Sequence, residues 1–199
     1  FGLENGDRAV FRQAGACTQP RDAAADAPGG PEHERPADEV TDAALQWLRG
    51  RPADRPFFAW VHYVEPHFPY KLQGDYLKQI GVSREASALS PRNRYDSEIA
   101  FVDQYIRQTL DLLREHELYD DAIIVLLSDH GEAFREHGHY FHGQTLYEEV
   151  IKVPFFLRAP GLEHVEIDTP VALIDLSPTL LDLIGAPIPA PFEGRSLMR

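Results

Sequence analysis

Along this chain, blocks of apolar residues stop abruptly at positions that carry chemistry. The run Ala122-Ile123-Ile124-Val125-Leu126-Leu127 has no polar interruption, which predicts an inner strand of a parallel sheet covered on both faces. It ends at Ser128-Asp129-His130-Gly131-Glu132. A second run, Phe57-Phe58-Ala59-Trp60-Val61-His62-Tyr63-Val64, predicts another strand, broken by Pro66 and followed at once by His67. Helices are predicted where apolar residues return every three or four positions. One runs from about Asp38 to Gly50, with Val40, Ala44, Trp47 and Leu48 on its face. A longer one runs from near Asp96 to His116, with Ile99, Val102, Ile106, Leu110 and Leu113 in line. A helical turn at 144–150 precedes a strand Val153–Leu157, and a last helix begins at Ser177-Pro178 and stops at Gly185. Strands and helices in this order predict an α/β fold.

Residues 14–38 break the pattern: they contain no Val, Ile, Leu or Phe and are crowded with Ala, Asp, Pro and Gly, which predicts a flexible surface loop. The remainder, within 199 residues of which 43% are hydrophobic, suffices for one domain or most of one. No run of about eighteen apolar residues occurs, so no membrane-spanning segment is expected. The chain begins at Phe1 without an initiator Met, which leaves its compartment open. A formal charge of −13 argues against a nucleic-acid surface. Between Lys71 and Arg94, five basic residues face two acids, which reads as a solvated face or as a rim that attracts an anion. The single cysteine, Cys17, excludes an internal disulfide and lies in the polar loop with no organised base, so it reads as incidental.

The chemistry concentrates after position 128. His130, His137, His139 and His142, four of the nine histidines, fall within thirteen positions. Ligands of open α/β sheets gather at the carboxyl ends of the strands, where Asp129 and His130 stand. An Asp oxygen beside a His nitrogen suits a divalent cation, although a strand-end Asp equally caps a following helix; the surrounding histidines favour the metal. Gly131 is expected to let the backbone turn sharply. His67, flanked by Pro66 and Pro69, has a fixed direction suited to hydrogen-bonding a reacting oxygen or donating a proton. His142 can supply a donor to an oxyanion from a neighbouring loop. His137 and His139 read as exposed loop residues. His67, Asp129, His130 and His142 are expected to meet at the carboxyl edge of one sheet.

These pieces together resemble the sulfatase family of the alkaline phosphatase superfamily. The resemblance rests on Phe57 to Tyr70, on Tyr95-Asp96-Ser97-Glu98-Ile99-Ala100-Phe101-Val102-Asp103, on Ser128-Asp129-His130-Gly131-Glu132, and on Leu146-Tyr147-Glu148-Glu149 leading to Val153-Pro154-Phe155. It continues through Leu173-Ile174-Asp175-Leu176-Ser177-Pro178-Thr179-Leu180-Leu181 and Glu193-Gly194-Arg195-Ser196-Leu197. It implies a three-layer α/β sandwich of the alkaline phosphatase type. It implies Asp129 and His130 as ligands of a divalent cation, Ca²⁺ foremost with Mn²⁺ or Zn²⁺ as alternatives, and His67 and His142 as catalytic residues at the sulfate or the leaving oxygen. The implied activity is hydrolysis of a small-molecule or carbohydrate sulfate ester.

The family's Cys-x-Pro-Ser-Arg motif, source of its formylglycine nucleophile, and the paired aspartates that precede it do not occur here. Phe1-Gly2-Leu3 resembles family sequence downstream of the nucleophile. Residues 1–199 are therefore expected to be the central and C-terminal part of a sulfatase domain that is incomplete at its N-terminus. Histidine at position 130 also fits phosphonate and phosphate-ester hydrolases and phosphoethanolamine transferases of the same superfamily, and an inactive fragment with only a binding role is the remaining alternative.

Overall fold

A computed structural model describes residues 7–12, 35–83 and 90–198. Cys17, Phe1-Gly2-Leu3 and most of the segment 14–38 lie outside the described residues. The chain forms two compact units, Gly2–His116 and Glu117–Arg199, each built from α and β elements.

In the first unit, strand β1 (Asp7–Arg12) pairs in parallel with β2 (Phe57–His62), Asp7 opposite Phe57 and Arg12 opposite His62. The apolar pattern did not foretell β1, whose apolar stretch is only Ala9-Val10-Phe11. Between the strands runs helix α1 (Ala37–Gly50), with Asp38 and Glu39 in its first turn, where the N-terminal dipole favours negative charge. It buries Val40, Thr41, Ala44, Leu45 and Leu48. Thr41 Oγ1 lies 2.9 Å from the Tyr63 hydroxyl, tying the helix to the end of β2, and burial pushes the Tyr63 pKa up. Strand β2 alternates between partly buried and exposed positions, and Trp60 is 53% exposed.

Helix α2 (Pro91–Glu115) starts five residues earlier than its periodicity indicates. The reason is local: the Ser90 side chain accepts a hydrogen bond from the Asn93 N–H at 3.0 Å, and Pro91 occupies the first turn without an N–H to satisfy. Val102 and Leu113 are buried as expected and Leu112 is buried beside them, but Ile99 is exposed and the buried residues beside it are Ser97 and Glu98. Their side chains bind backbone rather than fill a core, as described below.

The second unit corrects one expectation. Strand β3 (Ile124–Leu127) is not a parallel strand among the described residues; it pairs antiparallel with β6 (Phe155–Arg158), Ile124 opposite Arg158 and Leu127 opposite Phe155. Nor is it covered on both faces, since Leu126 is 40% exposed; an unbroken apolar run leaves both strand direction and neighbours undetermined. Arg158 anchors the pair: it donates to the Ala122 carbonyl at 3.1 Å and to Asp120 Oδ1 at 2.8 Å, with its guanidinium over the Tyr119 ring. Between the two strands lie a hairpin of β4 (Ala133–Phe134) and β5 (Tyr140–Phe141) and the short helix α3 (Glu148–Ile151).

The unit ends in helix α4 (Leu176–Leu183), preceded by a 3-10 turn at Leu173–Asp175. Asp175, not Ser177, starts the helix. Its carboxylate accepts the Ala172 N–H at 3.1 Å and the Arg195 N–H at 2.9 Å, while Thr179 Oγ1 donates to the Asp175 carbonyl at 2.6 Å and accepts the Leu197 N–H at 3.0 Å. Gly194 passes so close to Ile174 that a Cβ there would lie 2.6 Å from the Ile174 carbonyl carbon.

Candidate active site

Asp129 and His130 follow the last residue of β3, and a compact set of hydrogen bonds shapes the turn that holds them. Ser128 Oγ donates to the His130 carbonyl at 2.7 Å, and the His130 N–H donates to Asp129 Oδ1 at 3.0 Å. The Gly131 N–H donates to the Val150 carbonyl at 2.7 Å, which docks α3 against the turn. Gly131 has no positive φ, so its role differs from the sharp turn expected of it. A Cβ at that position would overlap the Glu149 carbonyl oxygen and stand 3.1 Å from the Glu149 carbonyl carbon. Gly131 is there because α3 needs the space.

The imidazole of His130 is oriented by its own backbone. Its Nδ1 lies 2.9 Å from the Gly131 carbonyl oxygen, and because a carbonyl only accepts, Nδ1 carries the proton. Nε2, the other ring nitrogen, stands 3.8 Å from Asp129 Oδ1, and the Asp129 carboxylate is exposed. A histidine that gives one ring N–H to a carbonyl and keeps the other nitrogen unprotonated is prepared as a metal ligand. Asp129 and His130 thus fit as two donors to a divalent cation. Among the described residues, no group of three or more His, Cys, Asp or Glu side chains gathers as a cage.

His142 joins them through the hairpin. With Ala133 opposite Phe141, the register carried one step outward sets Glu132 opposite His142. His142 Nδ1 lies 3.1 Å from Glu132 Oε1, and the His142 ring packs on the His130 ring with centroids 3.9 Å apart at 30°. The turn that makes this possible, residues 135–139, is closed by the Arg135 N–H to the His139 carbonyl at 2.9 Å and by Gly138 at positive φ.

His137 is exposed on the hairpin turn, as expected, and is also held in place. It is organised: its Nδ1 lies 2.8 Å from Glu149 Oε1, and its ring stacks on Tyr147 at 3.9 Å and 12°. The hydrogen bond from His137 holds the Glu149 carboxyl below its ordinary pKa. His139 is exposed, as expected.

His67 belongs to the other unit. It is exposed on the loop that follows β2, and the bonds to Pro66 and to Pro69 of this loop, Glu65-Pro66 and Phe68-Pro69, are both cis. The loop is fastened on both sides. Before it, Glu65 Oε1 accepts the Ala37 N–H at 3.1 Å, at the start of α1. After it, Tyr70 is buried edge-on between Phe68 and Tyr95. Glu98 Oε1 then accepts the Lys71 N–H at 2.9 Å, and Ser97 Oγ accepts the Gln73 N–H at 3.0 Å. The buried Ser97-Glu98 pair is the support that sequence reading passed over. Its signal was an acid in the apolar stripe of a helix, where an unpaired charge would be costly.

Asp129, His130 and His142 are therefore brought together in the second unit, and His67 is held on a braced loop of the first.

The Sulfatase family model matches residues 7–186. Arylsulfatase K of the dog, Canis lupus familiaris, is 29% identical over 158 residues, covering 78% of this chain and 29% of its own. An arylsulfatase of Clostridium perfringens is 28% identical over 204 residues, covering 85% of this chain and 42% of its own. The chain thus spans less than half the length of either relative. Among solved structures, the phosphonate monoester hydrolase SpPMH from Silicibacter pomeroyi superposes with a TM-score of 0.63 at 28% identity, over 81% of this chain and 40% of that one. The match over nearly the whole chain establishes that it belongs to the sulfatase family of the alkaline phosphatase superfamily.

Proposed function

We propose that the protein hydrolyses sulfate esters, a small-molecule or carbohydrate sulfate being cleaved by water to the free alcohol and sulfate. Enzymes of this family generally depend on a divalent cation. Asp129 and His130 hold it in this reading; the family resemblance puts Ca²⁺ first, and an imidazole nitrogen beside a carboxylate suits Zn²⁺ or Mn²⁺ as well. When bound, the cation draws charge from the sulfuryl oxygens. His142, whose Nδ1–H is given to Glu132, takes a proton from the attacking water on Nε2, and His67 gives its proton to the departing alkoxide, which leaves as a neutral alcohol. The observation that carries this reading is the preparation of His130, whose Nδ1–H is committed to the Gly131 carbonyl and whose Nε2 faces Asp129. In this reading residues 1–199 form part of one sulfatase domain.

A second reading has its own support. SpPMH is a phosphonate monoester hydrolase at 28% identity, so the transferred group is phosphoryl in the alternative. The two are separated by assaying the full-length protein on 4-nitrophenyl sulfate and on 4-nitrophenyl phenylphosphonate with Ca²⁺, Mn²⁺ or Zn²⁺ supplied. Sulfatase activity predicts the higher kcat/KM on the sulfate. It also predicts abolition of that turnover by Asp129→Ala and a loss of about 10²-fold or more in kcat for His142→Ala. A higher kcat/KM on the phosphonate would overturn it in favour of the phosphoryl reading.

A further inference from the structure

The Glu132 side chain is 3% exposed, yet it carries a carboxylate. A buried carboxylate is costly to keep without a donor directed at it, and the hairpin register supplies one, the Nδ1 of His142 at 3.1 Å. Because a carboxylate only accepts, the proton in this bond sits on Nδ1. His142 thereby shares the condition of His130: both rings spend Nδ1–H on a protein oxygen. The rings lie against each other at 3.9 Å, so turning either one disturbs its neighbour.

We propose that Glu132 is a positioning residue of the active site: it fixes the tautomer and ring orientation of His142, and through the stacked rings it steadies His130 beside Asp129. The proposal rests on the sulfatase reading for its consequence in turnover, and on geometry alone for its consequence in structure. Glu132 touches no reacting atom in this scheme. Removing an outer partner of this kind typically lowers activity or metal affinity by about 10–100-fold. Leucine would fill the space without accepting a proton, whereas glutamine keeps an oxygen for Nδ1–H and gives up the charge.

The test uses the full-length protein with ¹⁵N-labelled histidine and long-range ¹H–¹⁵N spectra, which report which ring nitrogen carries the proton. His142→Gln assigns the signal. The expected result is a proton on Nδ1 of His142 in the wild type and in Glu132→Gln, and a shift to the Nε2–H form in Glu132→Leu. In parallel, kcat on 4-nitrophenyl sulfate should fall 10–100-fold in Glu132→Leu and less in Glu132→Gln, with KM little changed. A packing role alone would leave the tautomer untouched in Glu132→Leu, and that outcome overturns the proposal. So does a wild-type His142 that carries its proton on Nε2 alone, a result that needs no variant to fold. If the wild type shows Nδ1–H but releases no sulfate, the positioning role stands and the sulfatase reading falls.

Discussion

At the scale of single residues, the site depends on what is absent as much as on what is present. Gly131 bears no unusual backbone angle, but α3 presses the Glu149 carbonyl into the space where a side chain would begin. Alanine there must push α3 away and break the 2.7 Å bond from the Gly131 N–H to the Val150 carbonyl. Gly131→Ala is expected to cost about 1–3 kcal/mol in denaturant unfolding, the usual price of overpacking, and to weaken cation binding through the displaced His130. An unfolding midpoint and a metal affinity both equal to wild type would show that the helix yields freely. The same small scale shows what exposure alone does not say of His137. Nothing in the sequence distinguishes it from His139, two positions on, but one ring meets Glu149 and Tyr147 and the other meets solvent.

At the scale of elements, short helices are held by carboxylates that accept backbone N–H groups from distant segments. Asp175 is the clearest case: its two oxygens take the N–H groups of Arg195 and Ala172, and these bonds hold its carboxyl below the ordinary aspartate value. A carboxyl whose folded pKa is depressed contributes stability that is complete above its unfolded pKa, about 3.9, and that is lost as pH falls through the lower folded value. Unfolding measured from neutral pH into acid should therefore show a stability loss below about pH 4 that is reduced in Asp175→Asn. Equal acid slopes in the two proteins would remove Asp175 from the account. Ser97 and Glu98 do for the loop after His67 what Asp175 does for α4, each placing an acceptor on the N–H of a segment more than twenty residues away.

At the scale of the whole molecule, Asp129 and His130 supply two donors, and Ca²⁺ takes roughly six to eight oxygens. The chain of 199 residues by itself is expected to show folded circular dichroism, Ca²⁺, Mn²⁺ and Zn²⁺ binding weaker than micromolar by titration calorimetry, and no release of sulfate from 4-nitrophenyl sulfate. Cys17→Ala should change none of this; turnover lost with that substitution would mean that Cys17 is the nucleophile. No helix of the described residues is long and apolar enough to cross a membrane. The sequence by itself determined the α/β class, the family, and the placing of Asp129, His130 and His67 just past apolar runs, because periodicity and the ends of strands are local properties written in consecutive residues. Only the tertiary structure decided that β3 runs antiparallel to β6, that Glu98 is buried as a loop anchor, and that Glu132 meets His142. Those depend on which backbone groups and which cross-strand partners approach one another, and an apolar run or a histidine-rich loop is compatible with many such pairings until the hairpin register selects one.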